Sequence, residues 1–228
     1  MRAMILAAGR GERLRPVTDR LPKPLLEVGG KPLLGWHLER LAAAGFREVV
    51  VNVSHFAQLI VERMGDGAAF GLSIAYSHER EPLETAGGIA QARARLGEAP
   101  FLLVNGDVYC ECDFARLRGE RLGRRMAHLV LVPNPAHRPQ GDFSLEAGSI
   151  GNGAGARYTY AGIAVMSPAL VDGIEPGTRA PLGPLLRTAA ANGRLGGELY
   201  EGVWQDVGTA ERLAALDALL ATRHGAGR

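Results

Sequence analysis

Across the first half of this chain, short apolar runs keep giving way to segments whose apolar residues recur at helical spacing. The run Arg2-Ala3-Met4-Ile5-Leu6 ends in Ala7-Ala8-Gly9 and reads as a buried strand opening into a glycine-bearing loop. Leu33, Leu34, Leu38, Leu41 and Ala42 then mark one helix face, and Gly45 stands where a C-terminal cap belongs. Glu48 to Asn52 is the next strand, Phe56, Leu59, Ile60 and Met64 the next helix face, and Leu72 to Tyr76 a third strand. Ile89 to Leu96 reads as a helix and Phe101 to Val104 as a strand. That rhythm predicts an α/β fold, Rossmann-like and doubly wound, with a mainly parallel sheet and helices on both faces.

From Leu129 the pattern loosens. Pro133, Pro135 and Pro139 break an apolar run, and residues 148–155 are glycine-rich and expected to be loop. Tyr158 to Val165 and Val203 to Val207 read as strands, Leu182 to Ala191 and Ala210 to Ala221 as helices, with a tail after Thr222. At 228 residues the chain is expected to be a single domain, a regular half over 1–125 followed by a looser half over 126–228.

A formal charge of +2, from 26 basic and 24 acidic residues without a basic block, argues against nucleic acid as a partner. No apolar stretch approaches the roughly 20 residues of a membrane helix, so the reading is cytoplasmic, with no membrane partner. Cys110 and Cys112 are expected to be reduced and structural, since C-x-C alone lacks the further ligands of a zinc site. Lys23 and Lys31 are the only lysines among the basic residues, so lysine is not surface filler.

The loop from Leu6 to Pro16 leaves its strand with Gly9 and Gly11 and with Arg10, Arg13 and Arg15. Glycine lets backbone N–H groups approach phosphate oxygens, and arginine adds planar, charge-assisted hydrogen bonds. A third glycine of the dinucleotide fingerprint is missing, because Leu14 follows Arg13, and no Gly-Lys-Ser/Thr of a P-loop occurs. Lys23 sits between Pro22 and Pro24, which predicts an extended backbone aiming a compact charge at one point. Asp107 lies just past a buried strand, where ligands bind in open α/β sheets. A carboxylate there repels phosphates unless it holds a cation, so a metal is implied.

The segments Leu6 to Pro16, Pro22-Lys23-Pro24-Leu25 and Gly30-Lys31-Pro32-Leu33 resemble the signature of sugar-1-phosphate nucleotidylyltransferases. Asn105-Gly106-Asp107 and Trp204 to Thr209 resemble that family's two later motifs, in the same order along almost the whole chain. Gly65-Asp66-Gly67, Glu81 to Gly88 and Gly141-Asp142-Phe143 are most similar to the branch that uridylylates N-acetylmuramate 1-phosphate. The resemblance implies a GT-A-like nucleotidyltransferase fold, UTP and a sugar 1-phosphate as substrates, and Mg²⁺ as cofactor. It implies Arg13 and Lys23 as catalytic residues, and Ala8, Gly9, Gly11, Glu12, Arg13, Lys23, Gly87 and Asn105 around the nucleotide. Gln58 is a further base or ribose candidate. Gly141, Asp142 and Gly162 fall on the sugar side, and Asp206 joins Asp107 as second metal carboxylate. Many relatives carry a Glu-Lys-Pro lysine that meets the sugar phosphate. No lysine follows Lys31 here, which leaves that contact to Lys23, an arginine such as Arg157, or the metal.

The expected reaction is attack of a sugar 1-phosphate oxygen on the α-phosphorus of UTP with departure of pyrophosphate, by a monomer or small homo-oligomer. Rivals are mannose 1-phosphate with GTP, glucose 1-phosphate with dTTP or UTP, and a non-catalytic nucleotide-sugar sensor. A sensor has no need of both metal carboxylates. The lactyl carboxylate of N-acetylmuramate calls for a positive partner, and Arg138 or His137, on the proline-stiffened rim 136–143, is expected to face it.

Overall fold

The structure is a computed structural model that describes residues 1–153 and 155–225. Strands β1 (Ala3–Leu6), β2 (Glu27–Val28) and β3 (Lys31–Pro32) precede helix α1 (Leu33–Ala43), β4 (Glu48–Val53), α2 (Ala57–Met64) and β5 (Ser73–His78). Helix α3 (Glu84–Leu96), β6 (Phe101–Asn105), β7 (Val108–Cys110), α4 (Phe114–Arg118) and β8 (Ala127–Val132) follow. The chain continues with β9 (Phe143–Glu146), β10 (Ser149–Gly151), β11 (Arg157–Met166), α5 (Leu182–Ala191), β12 (Leu195–Leu199), β13 (Trp204–Asp206) and α6 (Ala210–Gly225).

Nine strands form one sheet in the order β5-β4-β1-β6-β11-β8-β12-β10-β9. β5, β4, β1 and β6 run parallel, with Ala3 opposite both Val49 and Leu102. β11 then enters antiparallel to β6, so the sheet is parallel on the side of the glycine loop and mixed beyond it. Side chains of β1 alternate between two cores, as the strand period of two requires. Ile5 packs with Leu34 and Leu38 of α1 on one face, and Met4 packs with Ile89 and Ala90 of α3 on the other. Each such side chain contributes roughly 1.5–3 kcal/mol by leaving water. A third cluster joins Leu14, Tyr109 and Val207 to Leu216 and Leu220, and holds α6 against the loop that follows β1.

The chain leaves β1 for β4 and β5, then crosses back to β6 on the other side of β1. The carboxyl ends of β1 and β6 therefore flank a switch point, where open α/β sheets leave a crevice. Helix α3 begins at Glu84, so the run Glu84 to Gly88, with its small residues, opens it ahead of the periodic stretch from Ile89. The glycine-rich stretch 148–155 is not all loop, since Ser149–Gly151 pairs with β9 and β12. Helix α6 runs on to Gly225, and residues 226–228 of the tail expected after Thr222 lie outside the described residues. No helix among the described residues is long and apolar enough to cross a membrane. Cys110 and Cys112 are buried, free thiols.

Candidate active site

The loop after β1 is shaped by Gly11, whose φ of 66° is the left-handed conformation that favours glycine. Its carbonyl accepts the Thr18 hydroxyl at 2.9 Å, and a β-carbon on it would come within 2.9 Å of Thr18 Cγ2. At the loop's base, Ala7 N–H donates to Asn52 Oδ1 at 2.8 Å. The extended backbone expected around Lys23 stops at Pro22, and Lys23 opens a 3₁₀ turn in which Pro24 sits where a missing N–H costs nothing. The lysine is 8% exposed and its Nζ lies 2.6 Å from Asp107 Oδ2.

These groups share one cleft of about 610 Å³, walled by Gly9 to Leu14, Lys23, Glu81, Pro82, Asp107, Arg179 and Gly208. Gly9, Gly11, Glu12 and Arg13 thus gather around Lys23 and Asp107. Ala8 and Asn105 line an adjoining cavity of about 210 Å³ with Asn52, Glu79 and Thr85. Glu79 is buried, and burial raises its carboxyl above the ordinary range. Its bonds from Leu83 N–H at 2.9 Å and Asn52 Nδ2 at 2.7 Å partly oppose that rise. Asn52 and Glu79 therefore tie the glycine loop to the turn before α3. Neither carried a motif, and the only signal was a polar residue at each strand's end.

Asp107 and Asp206 sit on paired segments. Asp206 is in register with Val108 on the β7–β13 ladder, and Val207 N–H donates to the Asp107 carbonyl at 2.8 Å. The side chains have different company. Asp107 faces the main cleft with Lys23, whereas Asp206 is gripped by Arg212 Nη1 at 2.6 and 2.7 Å and lines a separate cavity of about 360 Å³ with His137 and Trp204. Two carboxylates from neighbouring backbone positions fit Mg²⁺, which takes one or two carboxylates and completes its shell with water and phosphates. No group of three or more metal-ligating side chains occurs among the described residues.

A family model described as nucleotidyl transferase matches residues 2–140. A Neisseria meningitidis N-acetylmuramate alpha-1-phosphate uridylyltransferase is 50% identical over 96% of this chain and 98% of its own length. The chain belongs to the nucleotidyl transferase family. This nucleotidyltransferase is also 32% identical to a mannose-1-phosphate guanyltransferase of Schizosaccharomyces pombe, over 91% of this chain and 61% of that protein. Its fold is shared with a Bacillus anthracis protein assigned as a glucose-1-phosphate thymidylyltransferase (TM-score 0.85, 20% identity, 96% and 95% of the two chains). HddC from Yersinia pseudotuberculosis shares it too, at a TM-score of 0.78, 22% identity and coverage of 96% and 98%.

Other expected site residues of the transferase stand apart from the cleft and its adjoining cavity. Gly87 lines neither, and is packed in α3 against the carbonyl of Thr178, where a β-carbon would collide. Gly162, with φ of 75°, lies against Asn105, whose Nδ2 would be 2.5 Å from a β-carbon there. Asp142 accepts from Tyr160 N–H at 2.9 Å, and Gly141 turns beside Asn134. Gln58 is spent on Glu62 at 3.0 Å and lines none of these cavities. The Arg157 guanidinium is taken up by the carbonyls of Asn152, Gly153 and Asp142, which removes it as a sugar-phosphate contact. Arg138 is 56% exposed and 3.5 Å from Asp142, whereas His137, also exposed, lies 2.7 Å from Arg212 on the cavity that Asp206 lines. Arg179 was not foreseen. It enters the cleft wall from the turn before α5, bonded to Glu84 at 2.9 Å.

Proposed function

We propose that this enzyme transfers a uridylyl group from UTP to N-acetylmuramate 1-phosphate, releasing pyrophosphate. The observation that carries the reading is the single cleft joining a glycine loop, Arg13, the buried Lys23 and Asp107. The Neisseria relative's name supports the choice of base and sugar. Residues 1–125 bind the nucleotide, and 126–228 bind the sugar in a single domain.

The attacking phosphate monoester has a second pKa of about 6, so its oxygen is already ionised at neutral pH and no general base is needed. Catalysis then rests on positioning and on charge neutralisation. Loop N–H groups around Gly9 and Gly11, with Arg13, hold the β- and γ-phosphates. Lys23 neutralises the reacting phosphates from its buried position, so it pays little rotamer entropy when they arrive. The start of α3 at Glu84 and Thr85, fixed through Leu83 by Glu79 and Asn52, sets the wall against the nucleobase. Gly141, Asp142 and Gly162 shape the sugar side. Asp107 and Asp206 would hold Mg²⁺, which supplies positive charge at the α-phosphate.

The reading places the enzyme in the cytoplasm, in cell-wall sugar recycling after a kinase that makes the 1-phosphate. Pyrophosphate release across four nucleoside triphosphates and a panel of sugar 1-phosphates tests it. UTP with N-acetylmuramate 1-phosphate is expected to give the highest kcat/KM. A higher value for GTP with mannose 1-phosphate, or for N-acetylglucosamine 1-phosphate with UTP, overturns it.

A further inference from the structure

Arg212 stands where a cation is least expected. It lies in the first turn of α6, where the helix dipole favours anions. Its carbonyl accepts from Gln205 Nε2 at 2.7 Å, on the strand that carries Asp206, so its backbone is already anchored. The side chain is only 19% exposed. One terminal nitrogen reaches both carboxylate oxygens of Asp206, at 2.6 and 2.7 Å, and lies 2.7 Å from His137 Nε2. The other faces Gly208, where a β-carbon would collide with it and lie 3.2 Å from Arg13 Nη1. Gly208 and Arg13 both wall the main cleft. The guanidinium therefore occupies the partition between the cleft and the cavity that holds His137.

Anchoring α6 does not require this contact, because the Gln205 bond and the third hydrophobic cluster already do so. What the contact does is cover both oxygens of a carboxylate that is one backbone position from Asp107's own strand neighbour. One Arg212 nitrogen already bonds both of those oxygens, so a divalent cation at Asp206 has to compete with it for their lone pairs. We propose that Arg212 is an exchangeable counter-ion, neutralising Asp206 in the free enzyme and yielding it when a divalent cation enters. This rests on the reading of Asp107 and Asp206 as the metal carboxylates. Once displaced, the guanidinium needs only side-chain rotation about a fixed backbone to face the cleft beside Gly208 and Arg13. There it adds positive charge to the phosphate cradle, so cation and nucleotide assist each other's binding. Arg212 is in this sense a positioning residue, acting on the metal through Asp206.

The test is Mn²⁺ binding, followed by electron paramagnetic resonance, for the parent enzyme, Arg212→Gln, Arg212→Lys and the Arg212→Gln/Asp206→Asn double variant, with and without UTP. Without nucleotide, Arg212→Gln is expected to bind Mn²⁺ about tenfold more tightly than the parent, the scale of one lost charge-assisted competitor. Arg212→Lys should fall between them, since an ammonium covers the two oxygens less well, and it keeps the test open if the glutamine variant fails to fold. The double variant should lose the gain. A role confined to fold stability shifts the melting temperature and leaves Mn²⁺ affinity where it was. Parent-like affinity in both single variants overturns the proposal, whereas absence of Mn²⁺ binding by the parent even with UTP overturns the metal reading itself.

Discussion

His37 offers a quantitative test of how the fold treats a charge beside the active site. The ring lies on α1, is 1% exposed, and neither nitrogen makes a hydrogen bond of normal geometry. Burial lowers its pKa from 6.5 to about 4, with the Val108 backbone and Asp107 opposing and Arg40 assisting that shift. Above pH 6.5 folded and unfolded chains both carry the neutral ring; below it the unfolded chain takes up a proton that the native chain refuses. Stability from this group is therefore complete above the unfolded pKa and drains as pH falls toward about 4. At 1.36 kcal/mol per pH unit, acidification from about pH 7.5 to about pH 4.5 costs about 2.5 kcal/mol through this residue alone. Glu79 works the other way, because its raised carboxyl holds a proton longer in the native state. Comparison with His37→Leu, which keeps volume and helix propensity, cancels that and every other shared titration. Urea unfolding at the two pH values should show the difference between parent and variant moving by about 2.5 kcal/mol in the variant's favour. A movement below about 0.5 kcal/mol would mean that the ring reaches water or a partner, and would refute the burial argument.

Four further outcomes are expected. Asp107→Asn should leave the fold intact and lose most turnover, because an amide cannot match a carboxylate at a divalent cation; turnover within about threefold of the parent at limiting Mg²⁺ would remove Asp107 from the metal site. Lys23→Ala should lower kcat more than it raises KM for UTP, and an effect confined to KM would mean that the lysine holds substrate and transition state alike. Gly87→Ala ordinarily gains about 1 kcal/mol of helix propensity, but here the new methyl meets the Thr178 carbonyl, so a net loss of about 1–3 kcal/mol is expected by urea unfolding and an unchanged midpoint contradicts it. Arg138→Ala should leave the preference for N-acetylmuramate over N-acetylglucosamine 1-phosphate unchanged, whereas His137→Ala should reduce it; the reverse ranking would put the exposed arginine on the sugar after all.

Periodicity found the parallel half because β1, β4 and β6 are buried on both faces and read as unbroken apolar runs. It missed β12, whose Leu-Gly-Gly-Glu-Leu has no such signature. Gly197 is required there by packing, since a β-carbon would sit 2.6 Å from the Leu129 carbonyl oxygen. The residues gathered in the cleft were legible where chemistry is written locally, in the glycine loop, the proline-flanked Lys23 and Asn105-Gly106-Asp107. Arg179 and Arg212 were not, because each is one arginine among many until the fold sets it against Glu84 or Asp206. Arg157 misled for the same reason, since only the fold reveals that three carbonyls already engage it.

The β7–β13 ladder also has a bearing on when the protein becomes an enzyme during its own synthesis. Asp107 and the glycine loop are made early, and β1, β4, β5 and β6, which neighbour one another in the sheet, are all made before Asp107. Val108 to Cys110 must wait for Trp204 to Asp206, almost a hundred residues later. Until that pairing forms, Tyr109 lacks its cover of Val207, Leu216 and Leu220, and the cleft lacks Gly208. A chain cut short before residue 204 therefore leaves Val108 to Cys110 without a partner strand and the cleft without its Gly208 wall.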